Sequence, residues 1–324
     1  MGRIAINQLR DGDTLEQTFI ISGKQLGTTS TNKPFLKADV SDATGQIHCR
    51  MWSISREVFD HIPSPGYVTI RGRVETYQGH LQLVADGVTR VEDPSRIDVT
   101  QLLKQTRKSI PDMQARLREI LQQIKDPDLA LLVKSFFDDA ELMKKFALSP
   151  AAQKMHHAWL GGLLEHTLNL LEIAVLICPR YPDIDRGLVL AGLFLHDIGK
   201  TAELSYNCGF DYTDVGRLVG HVVLGTLWLH QHAIQIAKDR GTPIRADLLM
   251  VLEHIILSHH GVPEFGAAVL PKTPEAILIN LIDNLDAKTQ MAIDAVAEPA
   301  ESANWTDYKK AFETALYRPT ITRQ

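Results

Sequence analysis

The chain has 324 residues, 44% hydrophobic and 23% charged, the balance of a globular protein of about two domains. Thirty-four Lys and Arg stand against 39 Asp and Glu, a formal charge of −5, which excludes a nucleic-acid binder working through bulk positive charge and leaves only local patches for that task. Cys49, Cys178 and Cys208 lie far apart with no CxxC pair, which disfavours a disulfide framework and a thiolate zinc site.

The N-terminal part carries five short runs rich in β-branched and aromatic residues: Leu15–Gly23, Pro34–Val40, Gln46–Trp52, Tyr67–Val74 and Leu81–Val91. Turn residues separate them, with Asp42–Gly45 after the second run and Gln78–Gly79 after the fourth. Ser53–His61 reads as a short helix. Three strands, a helix and two strands is the chain order of an OB-fold, a small barrel used for oligonucleotides, here predicted over residues 1–95. Alternation separates two faces. Leu36, Ala38, Val40, Ile47, Cys49, Met51, Val68, Ile70 and Val74 point inward; Phe35, Lys37, Asp39, His48, Arg50, Trp52, Tyr67, Arg71, Arg73 and Tyr77 point outward. Within the outer set, Phe35, Lys37, Arg50, Trp52, Arg71, Arg73 and Tyr77 mix cations with flat rings, which suits a single strand: charge for its backbone, rings for its bases. For each residue alone, a solvated sheet face explains it equally well; for the set, nucleic acid explains more.

Beyond a boundary at Asp93-Pro94-Ser95 the pattern turns helical. Thr100–Lys108, Asp112–Ile124 and Asp128–Phe137 form a connector, residues 96–150, expected to pack on the C-terminal helices. His157–Ile177, Ile184–Leu195, Val215–Ala237, Ala246–Leu257, Pro274–Ile293 and Trp305–Leu316 are predicted helices of a domain over 151–324, with prolines between them as breakers. The fold class is therefore multidomain α+β, a small β-barrel followed by an all-α domain. Apolar runs such as Gly187–Leu195 fall short of the roughly 20 residues a bilayer span needs, and the start has no signal-peptide run, so a cytoplasmic protein without a membrane partner is expected.

Histidine and aspartate interrupt the apolar helices at five places. His166 follows Leu163-Leu-Glu, His196-Asp197 closes Leu190–Leu195, His221 follows Val219-Gly, His259-His260 closes Ile255–Ser258, and Asp283 sits in Ile279–Leu285. A hydrogen-bonded core histidine is the commoner reading of any one of these. Five such interruptions, all of metal-ligand types, point instead to one shared centre, because buried imidazoles and carboxylates need partners and a cation is the usual one. Mixed His and carboxylate donors suit Mn, Fe, Co or Zn better than Mg. Lys200, two residues past His196-Asp197-Ile198, adds a cation beside that centre.

This ordered pattern resembles the HD-domain metallohydrolases. The resemblance implies that His166, His196, Asp197 and Asp283 hold one ion, and that Asp197 bridges to a second held by His221 and His259 (or His260). Asp286 would support a ligand by a hydrogen bond, and His156 and His157 would approach substrate. The histidine pair is similar to the cyclic-dinucleotide phosphodiesterase branch, but the Gly-Tyr-Pro element is missing and that branch's glutamate for a third metal is Gly162 here. The whole chain instead resembles the YhaM-type 3′→5′ exoribonucleases. His156-His157, Gly161–Thr167, His196–Lys200, Gly220-His221, Ser258–Gly261 and Asp283–Lys288 carry the likeness, which covers about residues 12–316.

The resemblance implies an OB-fold joined to an HD domain, two divalent ions (Mn²⁺ or Co²⁺ first, Fe²⁺ or Zn²⁺ next), and trimming of single-stranded RNA or single-stranded DNA from the 3′ end. Two ions would supply a nucleophilic hydroxide near neutral pH and relieve charge on the phosphate, with Lys200 adding a further positive charge. A small-nucleotide phosphohydrolase, with the barrel as a regulatory or oligomerisation unit, is the alternative; a homo-oligomer is compatible with both.

Overall fold

A computed structural model describes residues 3–93, 97–153, 155–297 and 304–318. It divides into two compact units: Met1–Gln105 with Ser205–Phe210, and Thr106–Leu204 with Asp211–Gln324. Of the boundary expected at Asp93-Pro94-Ser95, residues 94 and 95 lie outside the described residues.

The first unit holds strands β1 (Thr14–Thr28), β2 (Pro34–Asp42), β3 (Gly45–Trp52), β4 (Gly66–Tyr77) and β5 (His80–Arg90), with helix α1 (Arg56–His61) between β3 and β4. They close a barrel in the order β1-β2-β3-β5-β4, β3 and β5 running parallel with Cys49 opposite Leu83. Buried Asp42 fixes the β2–β3 turn, its Oδ1 accepting from the Thr44 amide at 2.7 Å and its Oδ2 from the Ile6 amide at 2.9 Å. Leu36, Ala38, Val40, Ile47, Cys49, Val68, Ile70, Val74 and Leu83 fill the interior. Tyr67 departs from expectation: alternation puts it outside with the arginines, yet only 4% of it is exposed. It lies opposite Ile20 of β1, which is also buried, so this part of the outer surface is covered and alternation alone misplaces it.

The second unit is helical: α2 (Ile110–Leu121), α3 (Pro127–Asp138), α4 (Ala140–Leu148), α5 (Gly162–Ile177), α6 (Arg186–Leu195), α7 (Lys200–Glu203), α8 (Asp214–Leu218), α9 (His221–Arg240), α10 (Ala246–Ser258) and α11 (Pro274–Ala297). Ser109, Asp126, Asp139, Asp185 and Thr213 cap helix starts by accepting an amide N–H two or three residues on, each worth about 1 kcal/mol. One apolar core joins α2, α3 and α4 to the later helices. At its middle α6 is buried along all of Val189–Leu195, with Phe194 edge-on to Phe136 and Phe146. Truncating Phe194 to Ala would cost about 3–5 kcal/mol. One stretch, Gly162–Arg180, has the length and hydropathy of a membrane span; 56% of its apolar window is buried in the packing.

Four predicted helices differ. Thr100–Lys108 contains only the end of a 3₁₀ turn, Val99–Gln101, started by Asp98 accepting from the Thr100 amide. Val215–Ala237 is broken at Gly220, whose φ of +79° lies outside helix and starts α9 afresh. Trp305–Leu316 is a hairpin-like loop with bridges Trp305↔Tyr317 and Lys309↔Thr314. There Thr306 Oγ1 accepts from the Leu316 amide at 2.9 Å, diverting a backbone group from the helical ladder. The helix expected from His157 begins only at Gly162, because His157 takes a left-handed φ of +51°.

Candidate metal centre

The end of α6 carries His196 and Asp197 into the core, and neighbouring elements bring the remaining donors to them. Asp197 is 2% exposed and its two oxygens face different groups. Oδ2 lies 3.3 Å from His196 Nε2, 3.8 Å from His166 Nε2 and 2.7 Å from Lys200 Nζ. Asp283 completes this half, its Oδ1 3.2 Å from His166 Nε2. Asp197 Oδ1 lies 3.4 Å from His221 Nε2 and 3.5 Å from His259 Nε2. His260 joins that second half, its Nε2 3.0 Å from His221 Nε2. His259 and His260 both lie in this half, beside His221.

Each imidazole in the inner set is aimed by its other nitrogen. His196 Nδ1 donates to the Leu193 carbonyl and His259 Nδ1 to the Ile256 carbonyl, both at 2.8 Å. His166 Nδ1 donates to Asp286 Oδ2 at 2.7 Å, and His157 Nε2 reaches the same oxygen at 2.9 Å. Asn169 donates to Asp286 Oδ1 at 3.0 Å. Asp286 therefore supports His166, as expected, and His157 braces Asp286. His156 lies beside the centre, its ring 5.3 Å from that of His166.

With Nδ1 engaged, Nε2 of His166, His196 and His259 points inward, and all three atoms, with Asp197 Oδ1, are buried without a hydrogen-bond partner. Each orphan costs about 1–3 kcal/mol, and a folded core does not keep four together unless something pairs them. Separations of 3.0–3.8 Å are those of donors sharing a divalent ion. The groups His166–His196–Asp197 and His221–His259–His260 each gather their ligand atoms within 4.8 Å. The residues present fit divalent metal.

The charge states of Asp197, His259 and His260 agree with that use. Burial pushes the Asp197 carboxyl up, but Lys200 and His196 outweigh it and hold it well below the usual carboxylate range. Burial lowers His259; burial and the neighbouring His259 push His260 down to about 2; burial and the charges of His166 and Lys200 push His156 down to about 3. These rings are neutral and offer lone pairs. His166 goes the other way: burial opposes its charge, but Asp283 and Asp286 raise it to about 9. Lys200 is itself buried and held charged by Asp197, so it sits on the ligand rather than reaching into open space.

Two glycines set the packing. A Cβ at Gly199 would stand 2.2 Å from the His221 carbonyl oxygen, so this glycine lets the turn after Asp197 lie against the start of α9. A Cβ at Gly162 would stand 2.0 Å from the His157 carbonyl oxygen, leaving no room for a metal-binding glutamate there. Sequence reasoning missed Glu203, which accepts from both the amide and Nδ1 of His221. Its position just after His196–Lys200 was the only available signal.

On the barrel the predicted nucleic-acid residues separate. Phe35 and Trp52 lie opposite each other on β2 and β3 with ring centroids 5.1 Å apart, and Lys37 lies opposite Arg50. The Arg50 guanidinium stands 5.8 Å from the Trp52 ring and 5.2 Å from that of Tyr77. Lys37, Arg50 and Tyr77 line one groove with His48 and His80. Trp52 and Tyr77 are 44% and 47% exposed. Arg71 and Arg73 stand on β4 opposite Glu16 and Thr14, and Arg73 pairs with Glu75 at 3.9 Å. Among the described residues, no ring or ion-pair contact joins them to the aromatic cluster.

Residues 163–288 match the HD domain family, and residues 20–91 match the OB-fold nucleic acid binding domain family. The chain is 30% identical over 312 residues to the 3′-5′ exoribonuclease YhaM of Geobacillus sp. (strain WCH70), covering 96% of this chain and 94% of that one. It is 30% identical over 311 residues to the protein of that name from Bacillus subtilis (strain 168), covering 96% of each. A third, from Bacillus velezensis, is 30% identical over 315 residues at the same coverage.

Proposed function

The chain belongs to the YhaM family of 3′-5′ exoribonucleases, and from that membership we propose that it hydrolyses single-stranded RNA, and single-stranded DNA as a second substrate, from the 3′ end to 5′-mononucleotides in the cytoplasm, using two divalent ions. The observation that carries the two-ion reading is the division of Asp197, each oxygen facing its own set of inward-pointing imidazole nitrogens. His166, His196, Asp197 and Asp283 would hold one ion; Asp197, His221, His259 and His260 the other. When bound, such a pair supplies a hydroxide nucleophile near neutral pH and Lewis-acid relief of charge on the phosphate. These donors suit Mn²⁺, Fe²⁺, Co²⁺ or Zn²⁺ better than Mg²⁺, and the family resemblance puts Mn²⁺ or Co²⁺ first.

The chain's own residues do the rest. Asp286 holds the proton at His166 Nδ1, which keeps the Nε2 lone pair turned inward. Lys200 neutralises part of the charge on Asp197, and in this reading its ammonium shares that charge with an incoming phosphate. Phe35, Trp52 and Tyr77 offer stacking faces to bases while Lys37 and Arg50 meet the strand's phosphates. Arg71 and Arg73 add charge from β4.

Metal-free protein incubated with a 5′-labelled RNA oligomer, with Mn²⁺, Co²⁺, Mg²⁺ or Zn²⁺ restored in turn, tests this reading. A descending ladder with release of a 5′-mononucleotide is expected with Mn²⁺ or Co²⁺. Failure to shorten any single strand with all four ions would overturn it. Turnover restricted to a small nucleotide would favour the phosphohydrolase alternative.

A further inference from the structure

Glu203 enters neither the family pattern nor the proposed ligand set, yet it is buried against the centre. We infer that Glu203 is the positioning residue for the Asp197 Oδ1 half of the site, governing how tightly the ion held by His221, His259 and His260 is bound. This deepens the two-ion reading and rests on it.

The backbone fixes Glu203 from two sides. It ends α7, its amide donating to the Gly199 carbonyl at 3.1 Å and its carbonyl accepting from the Thr213 amide at 2.9 Å. A Cβ at Gly216 would stand 2.3 Å from the Glu203 carbonyl oxygen, so α8 approaches this carbonyl as only a glycine allows. From that anchored position Oε1 accepts two hydrogen bonds from one residue, the His221 amide at 3.0 Å and His221 Nδ1 at 2.9 Å.

The first of these bonds caps a helix. Gly220 precedes α9 at φ +79° and offers no side-chain oxygen to the first amides, so Glu203 takes the N-cap's place, and a carboxylate there also meets the positive end of the helix dipole. The second bond sets the tautomer. With the proton held at Nδ1, the lone pair of Nε2 faces Asp197 Oδ1 at 3.4 Å and His260 Nε2 at 3.0 Å. Helix start and ligand orientation therefore depend on one oxygen.

The other ligands are held differently. His196 and His259 are aimed by carbonyls three residues back in their own helices, which no side-chain substitution removes. His166 is aimed by Asp286, in the Oδ2 half. Of the two halves, only the one containing His221 depends on Glu203. Within its own half the side chain of His221 is 13% exposed, whereas that of His259 is fully buried. Loss of Glu203 would free the His221 ring to turn and would leave the Oδ2 half intact.

Metal-free wild type, Glu203→Ala and Glu203→Gln are titrated with Co²⁺, with bound metal counted after equilibrium dialysis and the visible absorption of the ion followed. Wild type is expected to take two ions per chain. Glu203→Ala should keep one at wild-type affinity and bind the other about 10- to 100-fold more weakly, the usual effect of removing a carboxylate behind a ligand histidine. Glu203→Gln should fall between, because its amide oxygen still accepts from Nδ1 without the charge. Two ions bound by Glu203→Ala at wild-type affinity would overturn the inference. Equal weakening of both ions would also overturn it, showing general loosening rather than positioning. Should Glu203→Ala fail to fold, Glu203→Gln carries the same comparison. A wild type that binds a single ion would sink the two-ion reading itself, an outcome separate from either result.

Discussion

The barrel face and the buried centre both bring polar residues together, and they do so under opposite conditions. On the barrel, Arg50 lies among the Trp52 and Tyr77 rings near Lys37, and both rings are about half exposed, so water and neighbours satisfy every group before any ligand arrives. In the helical unit, three imidazole nitrogens and a carboxylate oxygen are sealed from water without partners. A surface of the first kind gives graded binding, about 1–3 kcal/mol per stacked base with strong salt dependence. A centre of the second kind is incomplete without its cation and behaves as a unit.

Substitution at the shared ligand should have the largest effect. Asp197→Asn removes the charge that serves both halves, and several kcal/mol of lost transition-state stabilisation, at about 1.36 kcal/mol per decade, lowers RNA hydrolysis on the order of 10³-fold or more. Activity above a tenth of wild type, in protein with an unchanged far-UV spectrum, would break the contrast between the two regions. Asp286→Asn acts one bond further out and should weaken one ion by about 10- to 100-fold, read by metal titration. Trp52→Ala should weaken single-strand binding roughly 5- to 150-fold while hydrolysis of a small phosphodiester stays at the wild-type rate. If small-substrate turnover fell equally, the barrel's role would not be confined to gripping the strand. Arg73→Ala, away from the ring cluster and paired with Glu75, should change binding by no more than about fivefold. The smallest effect expected is none: burial pushes the Cys49 thiol up to about 12, and chelating the metal should leave its slow alkylation unchanged, since the barrel core needs no ion.

Much of this was legible in the sequence, for reasons that differ by region. The strands followed from β-branched runs bounded by turn residues and the inner residues from period-two alternation, and Leu36, Ala38 and Val40 are buried as expected. Tyr67 failed because burial of a strand's outer face by other segments leaves no trace in alternation. In the helical unit, His166, His196, Asp197, His221, His259, His260 and Asp283 stood out as polar breaks in apolar helices, and the structure gathers all of them. Glu203 could not be found that way. It ends a one-turn helix where a carboxylate is unremarkable, and its meaning comes from α9 beginning beside it. Trp305–Leu316 misled by spacing alone, its apolar residues lying at helical intervals while the Thr306 hydroxyl took the backbone elsewhere.

The proposal that one carboxylate is divided between two ions is tested most directly by anomalous scattering from crystals of the protein grown with Mn²⁺. Two peaks are expected, one between Asp197 Oδ2, His166, His196 and Asp283, the other between Asp197 Oδ1, His221, His259 and His260. A single peak, or two that do not share Asp197, would contradict it.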